Sequence, residues 1–163
     1  MRVSASFGVC FGVVLSVAAF CSARAAPASP NACALIGQSA AETLFGGHLE
    51  VGVPSGLPVV GGGTANCAFQ ANGVAVVTIQ LQYGTIVTTI GAVELVKMTA
   101  PAKQGFDVVP GVGDLTMIFA KGGDGGIVFC TQDKFVSVTV SGSKNSALRP
   151  AMIETAKGIL AKP

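Results

Sequence analysis

The two runs flanking Asn72-Gly73 constrain this chain more than any other stretch of it. Residues 64–71 and 74–83 read as strands, and an Asn-Gly pair between such runs is a strong hairpin signal. In the second run Val77, Ile79, Leu81 and Tyr83 alternate with Thr78, Gln80 and Gln82, so one face is apolar and belongs to a core. A two-residue loop would pair Ala71 with Val74 and put Cys67 and Phe69 on the polar face with Thr78. A three-residue loop, with Gly73 left-handed, pairs Gln70 with Val74 and brings Cys67 and Phe69 to the apolar face. A slip of one residue exchanges the two faces of a strand, so burial of Phe69 selects the three-residue, bulged loop. The chain is expected to rest on an antiparallel sheet with Cys67 on its core side.

A second hairpin joins 127–131 to 135–141 around Gln132-Asp133-Lys134. Ile127 and Phe129 share parity with Val136, Val138 and Val140, which leaves Cys130 on the opposite face beside Phe135. Which cysteines can pair depends on the compartment. Arg2, an apolar run over 7–20 and the Ala23-x-Ala25 site form a secretory signal peptide over 1–25, cleaved after Ala25. The run is shorter than the roughly 20 residues a membrane span needs. A lipid anchor at Cys21 is the rival reading, disfavoured by the bulky Phe20 before it. Export places the protein in an oxidising periplasm or outside the cell, where cysteines pair. Cys10 and Cys21 leave with the signal; of the rest, Cys67 lies on the core face, Cys33 just before the helix that must dock there, and Cys130 points away. The expected bridge is Cys33–Cys67, with Cys130 a small hydrophobe under a loop or helix.

Loss of Arg2 and Arg24 takes Lys+Arg from 10 to 8, against 8 Asp+Glu, so the mature chain is near neutral. No basic cluster survives, which argues against nucleic acid and acidic membranes as partners. Residues 26–32 read as a mobile leader and 33–163 as one domain. Ser39-Ala40-Ala41-Glu42 reads as a capping box for a helix through Phe45, stopped by Gly46-Gly47. Pro54, Pro58 and the run of glycines at 61–63 make 48–63 a long loop. Residues 85–106 leave helix and strand open, 115–121 is a further strand, and Leu148, Met152, Ala156 and Ile159 line a closing helix that Pro150 opens. The expected fold is α+β, an antiparallel sheet of four to five strands with a short N-terminal and a longer C-terminal helix on one face.

Cys33-Ala-Leu-Ile, the short helix ending at Gly46, Cys67-Ala-Phe69, Pro110-Gly-Val-Gly-Asp114, a hairpin and an amphipathic last helix occur in that order over about residues 31–162. This order resembles a widespread family of small bacterial secreted proteins and lipoproteins of unknown function. The resemblance implies the same Cys33–Cys67 bridge and carries no catalytic residues. Cys130 is additional to that pattern, and no convincing lipidation site precedes Cys21.

Chemistry-bearing residues are sparse. His48 is the only histidine, with Glu50 two residues on, and one histidine cannot make a structural zinc site without cysteines, of which Cys33 and Cys67 are expected to be bonded to each other. A serine nucleophile would have only His48 as its usual base, and no Gly-x-Ser-x-Gly elbow occurs. Gly111-Val112-Gly113 lacks the later glycine and helix of a phosphate cradle, and Asp114 reads as the cap of that turn. No catalytic residue, metal or cofactor is therefore expected, and the protein is not expected to be an enzyme. The leading expectation is an exported interaction module that binds an envelope or extracellular protein through a sheet face or the 48–63 segment. A carrier of a small apolar ligand is the alternative, and an unrecognised hydrolase ranks third.

Overall fold

The computed structural model describes residues 30–59, 61–100 and 105–162. The expected signal peptide, the alternative anchor at Cys21 and most of the leader lie outside the described residues. In chain order the elements are α1 (Ala32–Leu35), α2 (Gln38–Phe45), β1 (Val53–Val59), β2 (Gly62–Ala71) and β3 (Val74–Gly84). There follow α3 (Thr85–Ile90), α4 (Ala92–Thr99), β4 (Asp107–Val108), β5 (Leu115–Lys121), β6 (Asp124–Thr131), β7 (Lys134–Val140) and α5 (Leu148–Leu160). The strands make one sheet in the order β1-β2-β3-β7-β6-β5-β4, antiparallel throughout. Two meanders thus meet along β3 and β7, and α3 and α4 form the connection between them.

The fold is larger than the expected four to five strands, and its helices are not confined to one face. Seven strands form because β1 and the two-residue β4 flank the five strands that alternation reveals. β1 lies in the segment expected to be a loop, and it hides behind Pro54 and Pro58. A proline fits a sheet only where its nitrogen faces away from the neighbouring strand. Pro54 and Pro58 stand opposite Cys67 and Gly63, two positions of one parity, so a single strand orientation turns both nitrogens outward. Of the three outward positions 54, 56 and 58, only Gly56 then has an N–H, which blunts this edge against a further strand.

Two hydrophobic layers follow from the two faces. On the first, Cys67, Phe69, Val77, Ile79, Leu81, Ile127, Phe129 and Val138 pack against α1, α2 and α5. On the second, Val128, Cys130 and Phe135 pack beneath Val87, Leu95 and Val96 of α3 and α4. Region 85–106, left open by periodicity, resolves into these two helices over its described part. Their placement gives Cys130 a buried site of its own on the face opposite the disulfide.

The first hairpin reaches the expected face by a different device. Its loop has two residues, with Ala71 opposite Val74, and both Asn72 (φ 52°) and Gly73 (φ 74°) take the positive angles of a type I′ turn. The extra residue sits inside β3 instead: Gln70 pairs with Ala75 and Phe69 with Val77, so Val76 is a bulge. That bulge restores Cys67 and Phe69 to the core face, and Cys67 bonds Cys33 across a Cα–Cα distance of 5.0 Å. α2 differs at its start from the expected capping box. It begins at Gln38 after Gly37, with no side-chain cap, while Gly46 (φ 77°) closes its end in the left-handed conformation.

Candidate functional site

Cross-strand register arranges the second face in rows. One row runs Leu57, Thr64, Gln82, Phe135, Cys130, Leu115 from β1 to β5. The next runs Ser55, Asn66, Gln80, Ser137, Val128, Met117, and the third Val53, Ala68, Thr78, Thr139, Gly126, Phe119. In each row the character changes part-way across. Beneath α3 and α4 the residues are apolar and buried or half-buried; towards β1 they are mostly hydroxyls and amides, bounded by Val53, Ser55 and Leu57.

That half, which no described helix covers, is the candidate site. Gln80, Thr139 and Ser55 are exposed, and Asn66, Thr64, Thr78 and Ser137 are half-buried. No charged residue occupies any position in the three rows. The Thr78 and Thr139 hydroxyls bond each other across β3 and β7, which fixes both rotamers. At the β1 border Leu57 is 77% and Val53 54% exposed. On the helices of the same face Ile90 and Met98 are also exposed. The arrangement offers a flat lattice of neutral donors and acceptors beside apolar patches. It can bind a surface of matching polarity, but it presents no group that takes or gives a proton at neutral pH.

The residues singled out in the sequence lie elsewhere and apart. His48 is exposed, and its Nδ1 lies 2.7 Å from Glu42 Oε1. The Leu49 N–H and the Gln38 amide also donate to that carboxylate. The Leu49 N–H first, then the Gln38 amide and His48, hold the Glu42 carboxyl below its ordinary range. Glu50 accepts from the Gly73 N–H at 3.1 Å and so ties the approach to β1 to the β2–β3 turn. The Val109–Asp114 turn is held by main chain and a threonine instead of the Asp114 carboxylate. The Asp114 N–H donates to Cys130 O, and the buried Thr116 hydroxyl donates to Val112 O. Among the described residues no three His, Cys, Asp or Glu side chains converge on one point. Cys130 is buried with its thiol directed to Leu115 O, and burial pushes that thiol up. The signal that sequence reading missed was the run of uncharged polar residues at alternate positions of β2 and β3. It marks an exposed face only once the position of α4 is known.

No family model, curated protein or solved structure matches the chain. Among the described residues no helix is long and apolar enough to cross a membrane. The disulfide is of the kind that persists in an oxidising compartment.

Proposed function

We propose that the protein is an exported, non-catalytic interaction module that engages an envelope or extracellular protein through the uncovered half of its second sheet face. The observation that carries this reading is the charge-free lattice of Thr64, Asn66, Thr78, Gln80, Ser137 and Thr139, bordered by the exposed Val53 and Leu57. Exposed sheet faces ordinarily carry charge, and the centres of protein interfaces are depleted in it. The 48–63 segment, one of the two elements expected to bind, supplies β1 at the border of this face. The outward prolines of β1 leave the flat face, not the edge, as the place to dock. The Arg2 start, the 7–20 run and the disulfide support export.

Photocrosslinking tests the reading. A crosslinking amino acid at Gln80 or Asn66 should capture one defined protein in the native envelope, whereas the same group at Lys157 of α5 should not. Asn66→Lys combined with Gln80→Lys should abolish the adduct formed from a probe at Ser137. Equal labelling from all positions, or none, would remove this face from consideration.

A further inference from the structure

On the opposite side of the sheet, α2 and α5 leave a groove of about 360 Å³ between them. Its walls include Ile36, Ala40, Ala151 and Gly158, and a Cβ placed on Gly158 would touch nothing within 4 Å. At the end marked by Leu35 and Lys162 the groove meets a smaller slot of about 70 Å³, floored by Leu81, Phe129 and Val136. Lys134, Thr131 and Lys162 also line this slot. The Lys162 ammonium donates to the carbonyls of Ala34 and Leu35 at 2.8 Å each, so its stem stands where slot and groove adjoin.

Size and charge together narrow the occupant. A volume of 360 Å³ lies at the lower end of small-molecule sites, about 300–1,000 Å³. Lys134 and Lys162 have no acidic partner within ion-pair distance among the described residues. The one acid lining the groove, Glu154, is already paired with Lys157 at 2.8 Å. Asp133 lies at the hairpin tip and accepts from the Thr131 hydroxyl, but it does not line the slot. Two lysines lining a slot with an apolar floor, one of them already donating to Ala34 O and Leu35 O, favour an anion whose remainder is apolar. The slot is about half the ~150 Å³ cavity that holds a benzene ring, so it suits a hydrated head group and not a chain.

We propose that the seam between α2 and α5 binds a single aliphatic chain ending in a carboxylate, the chain along the groove and the head group between Lys134 and Lys162. This site is on the face away from the proposed protein-binding surface, so the two readings stand or fall separately. Decanoate is the probe, with methyl decanoate and decyltrimethylammonium as head-group controls. Titration followed by methyl NMR should shift Leu35, Ile36 and Ile159 with decanoate. The ester should bind about fivefold or more weakly, the strength of one exposed ion pair, and the cation should not bind. Lys134→Met and Lys162→Met should each weaken decanoate about fivefold, and Asp133→Asn should tighten it. Gly158→Leu replaces a helical glycine with a better helix former, so it should fold at least as well while filling the groove and abolishing binding. Absence of shifts at these methyls, equal binding of ester and acid, or full binding by Gly158→Leu would overturn the proposal.

Discussion

Cys67 is 1% exposed beneath α1, and α1 is a single four-residue turn whose attachment includes the bond from Cys33. Closing a 34-residue segment stabilises the fold by about 3–4 kcal/mol in the loop-entropy description. Cys33→Ser, Cys67→Ser and the double variant should each lower stability in urea by about 2–5 kcal/mol. A loss below about 1 kcal/mol would show that α1 docks without its covalent tether. Glu42 gives a second test at the same scale. Its folded carboxyl sits below the ordinary value of 4.5, so ionised Glu42 stabilises the native state above that pH. The stabilisation is lost as pH falls from about 4.5 through the lowered folded value. Wild type should therefore lose more of its urea midpoint between pH 7 and pH 3 than Glu42→Gln, in which Gln replaces the titrating acceptor. Parallel acid limbs for the two proteins would mean that the contacts of Leu49, Gln38 and His48 with Glu42 carry no net preference for the ionised form.

At the scale of elements, strands with a strict two-residue period could be read directly and those held by context could not. β5, β6 and β7 lie close to where alternation puts them, as does the last helix with its buried Leu148, Met152, Ala156 and Ile159. β1 was hidden because a proline is an obstacle or an asset depending on which side its neighbour lies, and one strand in isolation does not reveal that. The bulge at Val76 lies a few residues from its expected place in the loop, because both positions satisfy the same burial requirement for Phe69. α3 and α4 were ambiguous because Val, Ile and Thr in 85–99 favour strands locally, while packing on Val128, Cys130 and Phe135 selects helix. Two glycines separate backbone preference from close approach. Gly73 (φ 74°) has open space around a would-be Cβ, so Gly73→Ala should cost about 1–2 kcal/mol from the left-handed angle alone. Gly113 (φ 59°) would drive a Cβ into Cys130 O, backbone that cannot move without disturbing β6. Gly113→Ala should thus cost clearly more than Gly73→Ala in the same denaturation assay, and equal costs would contradict the packing of this turn on β6.

For the molecule as a whole, the two faces are unequally built, and this inequality predicts how it opens. The candidate binding face was not legible in the sequence, since Thr64, Asn66, Gln80 and Ser137 look like any solvent-side positions until α4 is seen to stop short of them. The layer on the first face joins three helices and a disulfide to most of the sheet, whereas α3 and α4 are held mainly by Val87, Leu95 and Val96 against Val128, Cys130 and Phe135. Elements with few buried apolar contacts open below the global unfolding free energy. Release of α3 and α4 would expose Cys130, while Cys33 and Cys67 remain bonded on the other side. Cys130 should therefore react with an alkylating reagent slowly in the native state, yet faster than global unfolding permits, by at least tenfold or about 1.4 kcal/mol. Val96→Ala should accelerate that labelling, because it weakens the native state relative to the opened one by roughly 1–3 kcal/mol. Ile79→Ala, on the first face, should lower global stability by about 2–5 kcal/mol. It should leave the labelling rate unchanged until global unfolding becomes the easier route. Labelling that tracks global stability in both variants would show that the two layers unfold as one.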